Sequence, residues 1–289
     1  MSDTSIPLFQ VDAFTNQPYA GNPAAVCILR QPENVAWMQA VASEMNLSET
    51  AFIVPEKDVH SFNLRWFTPI TEVDMCGHAT LASAHILWET GMLPNEQPVS
   101  FYTKSGLLVC RSNGNWPEPK WIEMDFPSTP EKPIPIPEGL QLALGISPKY
   151  VGMSQFDYLV EVDSEETVRN LKPNFTLLKT FSVRGVIVTA RSSAPEFDFV
   201  SRFFAPAVGI NEDPVTGSAH CCLAPFWGHR LEKVVMKAYQ ASTRGGVVKL
   251  ELLNQRVLIS GQALTVLKGT LIAGSGSLTF EKPDERQLK

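Results

Sequence analysis

The chain has 289 residues, 44% hydrophobic and 19% charged, a globular balance with length enough for two domains of ordinary size. Its net charge of -6 removes the electrostatic basis for nucleic-acid binding. No apolar run approaches the roughly 18 residues of a membrane span, and Met1-Ser2-Asp3-Thr4-Ser5 lacks the marks of a secretory signal, so a cytoplasmic protein without a membrane partner is the expectation.

In chain order, a helical stretch over about 35–46 precedes a short apolar strand, Glu49-Thr50-Ala51-Phe52-Ile53-Val54. An alternating strand, Phe62 to Phe67, stops at Thr68-Pro69, and after a polar stretch Cys76-Gly77-His78-Ala79-Thr80 opens an Ala-rich helix. Val99 to Val109 is again β-rich. The prolines between Phe126 and Pro137 fix backbone angles and remove donors, so this stretch reads as a linker that cannot join a central strand.

The order then repeats. A helical stretch over about 164–172 leads to Val183-Arg184-Gly185-Val186-Ile187-Val188, then to Phe197 through Phe204-Ala205-Pro206. Glu212-Asp213-Pro214-Val215-Thr216-Gly217-Ser218-Ala219-His220 opens a second Ala-rich helix, with β-rich runs at Val234–Tyr239 and Gly246–Leu252. Two copies of more than one hundred residues are a duplication, not a solenoid. The predicted class is α+β, with one half at 1–127 and the other at 128–289, the last strand being free to return to the first half. Related halves bring equivalent loops face to face, and small-molecule sites favour such interfaces.

Gly77 and Gly217 stand where a loop becomes a helix, and the first turn of a helix has unpaired N–H groups and a positive dipole end. Facing one cleft, two such ends would receive a carboxylate, with donors from His78 and Ser218; ordinary capping by Thr216 or Ser218 is the alternative. Asp213 reads either as a helix cap or as a site carboxylate. Glu49, at the entrance to a buried strand, is a candidate proton shuttle, with Glu44 its neighbouring rival. Nothing matches a catalytic triad, a phosphate loop or a dinucleotide fingerprint. Five cysteines, Cys27, Cys76, Cys110, Cys221 and Cys222, contain no C-x-x-C pair, which predicts neither a zinc site nor a disulfide framework. His85 reads as a core or surface histidine, and His60 and His229 as surface.

Phe9-Gln10-Val11-Asp12-Ala13-Phe14-Thr15, Gly21-Asn22-Pro23-Ala24-Ala25-Val26, Ser48-Glu49-Thr50-Ala51-Phe52, Cys76-Gly77-His78-Ala79-Thr80 and Asp213 through His220 fall in the order found in the phenazine-biosynthesis-like (PhzF-like) isomerases, which the chain resembles over nearly its whole length. The resemblance implies the diaminopimelate-epimerase-like fold, two similar domains each with a sheet around a central helix. It implies an isomerase without metal or organic cofactor, usually a homodimer, that moves a proton between carbons of a small carboxylate. Glu49 would carry the proton and Asp213 would assist. Gly77, His78, Gly217, Ser218 and Cys76 would lie against the substrate. Racemases of this fold use two facing cysteines; here Cys76 has Asp213 or Thr216 opposite it, which disfavours a two-thiol mechanism. Ala241 stands where many relatives carry Gly, and Arg244 is a candidate contact.

Overall fold

The structure is a computed structural model and describes residues 5–94, 97–113 and 121–272. Its strands form one hydrogen-bonded network whose pairing pattern occurs twice. In the first series Ala263–Leu271 pairs with Ile6–Ala13, followed by Asn22–Ile28, Glu49–Pro55, Ser61–Phe67, Val99–Thr103, Gly106–Asn113 and Trp121–Pro127. The second series starts at Lys132–Pro133 and runs through Tyr150–Met153, Asp157–Glu161, Gly185–Arg191, Phe199–Ala205, Val235–Gln240 and Gly246–Leu253 to Arg256–Gly261. In both, the third and fifth pairings are parallel and the others antiparallel. Trp121–Pro127 pairs with Arg256–Gly261 and joins the two series.

Side chains alternate across these strands, as the period of two requires. Ala51 and Ile53 face a large core that also holds the helix Gly77–Glu89, while Phe52 between them faces a smaller core around Trp37. Ile187 likewise joins the large core and Val186 and Val188 a separate one. Both faces of the sheet are therefore covered, the outer face by short helices such as Val35–Met45. The helix Gly77–Glu89 is buried from His78 to Trp88, and Gly217–Leu231 nearly as completely. A helix apolar on every side must be enclosed, and here the sheet wraps it. No helix among the described residues is long and apolar enough to cross a membrane.

The proline-rich stretch departs from expectation at both ends. Phe126 and Pro127 finish the strand that joins the two series, with Pro127 at its last position opposite Arg256. Lys132–Pro133 forms a two-residue edge strand on Tyr150–Met153, where a missing N–H is harmless. Between them, the Thr129 N–H donates to the Cys221 carbonyl at 3.0 Å. That carbonyl lacks its helical partner because the residue four positions on, Pro225, has no N–H.

Glycine also permits close packing behind the second central helix. A Cβ on Gly228 would lie 2.4 Å from Leu252 Cδ1 and 2.9 Å from the Lys233 carbonyl oxygen. Gly228→Ala is expected to lower stability by about 1–3 kcal/mol through overpacking. Urea denaturation checks this: an unchanged midpoint would show that the backbone yields freely there.

Candidate active site

The two central helices meet at their N-termini. A Cβ on Gly77 would lie 3.5 Å from Gly217 Cα, so these backbones are in near contact. Neither helix is capped by a side chain: Cys76 and Thr216 occupy the cap positions without making the capping hydrogen bond. Elsewhere the chain does cap, with Asn34, Ser164 and Asn174 at the helices starting at 35, 165 and 175. The two longest helices, whose ends meet, thus start without the side-chain caps that the helices at 35, 165 and 175 have.

Strand ends deliver the ionisable groups to this point. Glu49 is the first residue of its strand and Asp213 the last of the strand Ile210–Asp213; both are buried. Glu49 Oε2 lies 3.1 Å from His78 Nε2, while Cys76 Sγ lies 3.6 Å from His78 Nδ1. Asp213 Oδ1 accepts a 2.8 Å bond from Asn22 Nδ2, and Oδ2 accepts from the Thr216 hydroxyl. Asp213 is therefore not the helix cap. It holds the hydroxyl of the residue at the cap position, whose N–H is taken by Gln240 Oε1 at 2.9 Å. Gln240 also donates to the Asp213 carbonyl oxygen.

Burial dominates the titration of the site. It pushes the Asp213 carboxyl up to about 6, with Glu49 adding to the rise and His78, Thr216 and Asn22 opposing it. Burial, helped by Glu49, pushes the Cys76 thiol up to about 11, against the opposing pull of His78. For His78 burial acts against the charged form, but negative charge at Cys76 and Glu49 prevails and holds it well above its usual value. Because the Cys76 thiol keeps its proton at neutral pH, the charge acting on His78 there is that of Glu49.

The sequence-predicted residues thus come together. Glu49, Cys76 and His78 form one cluster, Asn22 links His78 to Asp213, and Gly77 touches Gly217. Ser218, half-buried in the first turn of its helix, accepts a 3.0 Å bond from Arg184 Nη1. Arg184 is gripped in turn by Asp157. Arg244 serves the scaffold: it donates to Asp12, Ala20 and Gly21 across the chain. His85 is buried and 3.0 Å from Thr265 Oγ1, and His60 is half-buried where a surface position was predicted. Asn22, Gln240 and Arg184 were missed. The Gly before and Pro after Asn22 marked a constrained turn, but contacts with residues nearly two hundred positions away leave no local signal. Glu49, Cys76 and His78 place possible ligand atoms within 4.8 Å of one another. The thiol approaches Nδ1 and the carboxylate Nε2, on different edges of the ring, so the three do not converge on one ion.

Among the described residues, Asn22 Oδ1 is buried without a hydrogen-bond partner, and Glu49 Oε2 and His78 Nε2 have none beyond each other at 3.1 Å. Unpaired buried groups destabilise a fold and call for a functional account. For Asp213 the sign is calculable. Its folded pKa lies above the ordinary 3.8, so ionising it opposes folding: stability falls as pH rises from about 4 to about 6, and the penalty is complete above that. Asp213→Asn is therefore expected to raise stability by about 1–3 kcal/mol at pH 7.5 and to leave it unchanged near pH 4. Chemical denaturation at the two pH values measures it; equal effects at both would show that burial of the charge is not the cause.

Residues 11–269 match the family model described as phenazine biosynthesis-like protein. The chain is 57% identical over 267 residues to a protein of Halalkalibacterium halodurans named as an uncharacterized isomerase, covering 92% of this chain and 98% of that one. A solved phenazine biosynthesis protein of the PhzF family from Enterococcus faecalis superposes with a TM-score of 0.87 at 42% identity, covering 93% of this chain and 99% of the other. A probable proline racemase from Agrobacterium radiobacter shares the fold at a TM-score of 0.63 and 11% identity, over 92% of each chain. The chain belongs to the phenazine biosynthesis-like protein family.

Proposed function

We propose that this protein is an isomerase that moves a proton between carbons of a small carboxylate, with Glu49 as the acid–base group. The observation that carries the reading is the meeting of two uncapped helix starts beside a buried Glu49–His78 pair and a buried Asp213. The uncapped first-turn amides of Gly77 and Gly217 favour negative charge and would hold the substrate carboxylate. The isomerase name carried by the Halalkalibacterium relative agrees with it.

In the proposed step a C–H bond adjacent to a conjugated system breaks. Its electron pair delocalises into the substrate, and the proton passes to a Glu49 oxygen. The same carboxyl then delivers that proton to another carbon of the delocalised anion, so atoms and charge balance without a second reactant. Asp213, raised to about 6, would exchange a proton with a polar substituent close to neutral pH. With Glu49, His78 and Asp213 all buried and the two helix ends in near contact, substrate entry would require the ends to part.

Glu49→Gln keeps the size and removes the base. It is expected to lower turnover by about 10²–10⁴-fold while the folded spectrum stays the same. The assay is solvent-deuterium incorporation into a panel of small unsaturated and hydroxylated acids followed by NMR. Full exchange in the variant would remove Glu49 from the mechanism, and affinity without exchange in the parent protein would make it a binding protein. A racemase using Cys76 is the weaker reading, because that thiol stays protonated until about pH 11. Cys76→Ala is expected to keep its exchange activity; loss of exchange at Cα alone would favour the thiol.

A further inference from the structure

Asn22 has no role in the proposed step, yet its side chain lies between the two charged groups of the site. It is fully buried, the first residue of its strand, with Nδ2 2.8 Å from Asp213 Oδ1, 2.9 Å from the Val215 carbonyl oxygen and 3.1 Å from His78 Nδ1. An amide nitrogen only donates, and the carboxylate and carbonyl oxygens accept. Turning the amide over would set its oxygen against both acceptors, so the orientation is dictated by the neighbours. Both amide hydrogens go to these two oxygens, so His78 Nδ1 faces a nitrogen that cannot accept a hydrogen bond. The protonated Cys76 thiol, 3.6 Å away, is the donor to the same ring nitrogen.

We infer that Asn22 is a positioning residue that fixes the tautomer of His78, making Nδ1 the acceptor and leaving the proton on Nε2, 3.1 Å from the Glu49 carboxylate. The Nε2–H then holds one Glu49 oxygen and aims the carboxyl group at the substrate. Full protonation of His78 would set an Nδ1–H against the Asn22 amide nitrogen. Relief would require rotating Asn22 Oδ1, which has no partner, toward the ring and giving up the bonds to Asp213 and Val215. The groups bearing on His78 are therefore Glu49 and Asp213, whose charges favour the imidazolium, the Cys76 sulfur 3.6 Å from Nδ1, and the Asn22 amide, whose nitrogen cannot accept from an Nδ1–H.

The kinetic part of this inference rests on the proposed role of Glu49; the tautomer does not. ¹⁵N NMR of histidine-labelled protein, with His78 assigned by loss of its signals in His78→Gln, reads the tautomer without substrate. In the parent protein, above the raised pH at which His78 loses its charge, Nδ1 is expected to carry the signature of an unprotonated nitrogen and Nε2 that of N–H. Asn22→Asp, the same size but with an acceptor facing Nδ1, is expected to move the proton onto Nδ1 or to give the imidazolium. With an exchanging acid, Asn22→Asp and Asn22→Ala are expected to lower kcat at least about 10-fold with KM within about 3-fold, and to shift the pH profile. A proton on Nδ1 of the neutral ring in the parent, or an unchanged His78 signature in Asn22→Asp, overturns the inference even if Asn22→Ala does not fold. The expected tautomer together with no exchange on any acid would count against the isomerase reading alone.

Discussion

Two positive helix ends held in contact are the constraint on which this molecule turns. The ends at Gly77 and Gly217 repel each other electrostatically, each dipole terminus contributing about 0.3–1 kcal/mol toward nearby charge. Enclosure of both helices by the sheet holds them there, and the carboxylates of Glu49 and Asp213 supply compensating charge. A Cβ at either glycine would meet ordinary contact at 3.5 Å, so packing alone does not require glycine. What glycine preserves is bare backbone where the two ends meet.

The rest of the scaffold positions side chains around that point. Gly21 adopts φ +65, and a Cβ there would strike the Ala13 carbonyl oxygen at 2.1 Å, so only glycine turns the chain into Asn22. Arg244 locks the same turn through Ala20 and Gly21, anchored by a buried Asp12. Arg244 belongs to the second half of the sequence and the turn to the first. The site is thus shaped by cross-connections between halves as much as by the helix ends.

Much of this was readable. Helix starts at Gly77 and Gly217 were visible because glycine followed by an alanine-rich run has few other readings, and repeated strand patterns exposed the duplication. Glu49, His78 and Asp213 were reached through motif order. That Asp213 is not the helix cap became visible only with Thr216 at the cap position. Asn22, Gln240 and Arg184 stayed hidden because their partners are brought close by strand register, which no local spacing encodes. The proline-rich stretch misled in part: proline is excluded from a ladder interior but is accepted at the end position of Pro127 and on the edge at Pro133.

The return of Ala263–Leu271 to the first series has a consequence for how the molecule is assembled. The later series is headed by the nearby Lys132–Pro133, whereas the earlier is closed by Ala263–Leu271, far along the chain from its partner. A chain emerging from the ribosome would therefore hold Ile6–Ala13 with one flank unpaired until Ala263–Leu271 has emerged. Such an open flank is adhesive toward other chains. Folding of the first series is coupled to Ala263–Leu271, so a chain stopped near residue 262 would be a sticky body, not a smaller functional one.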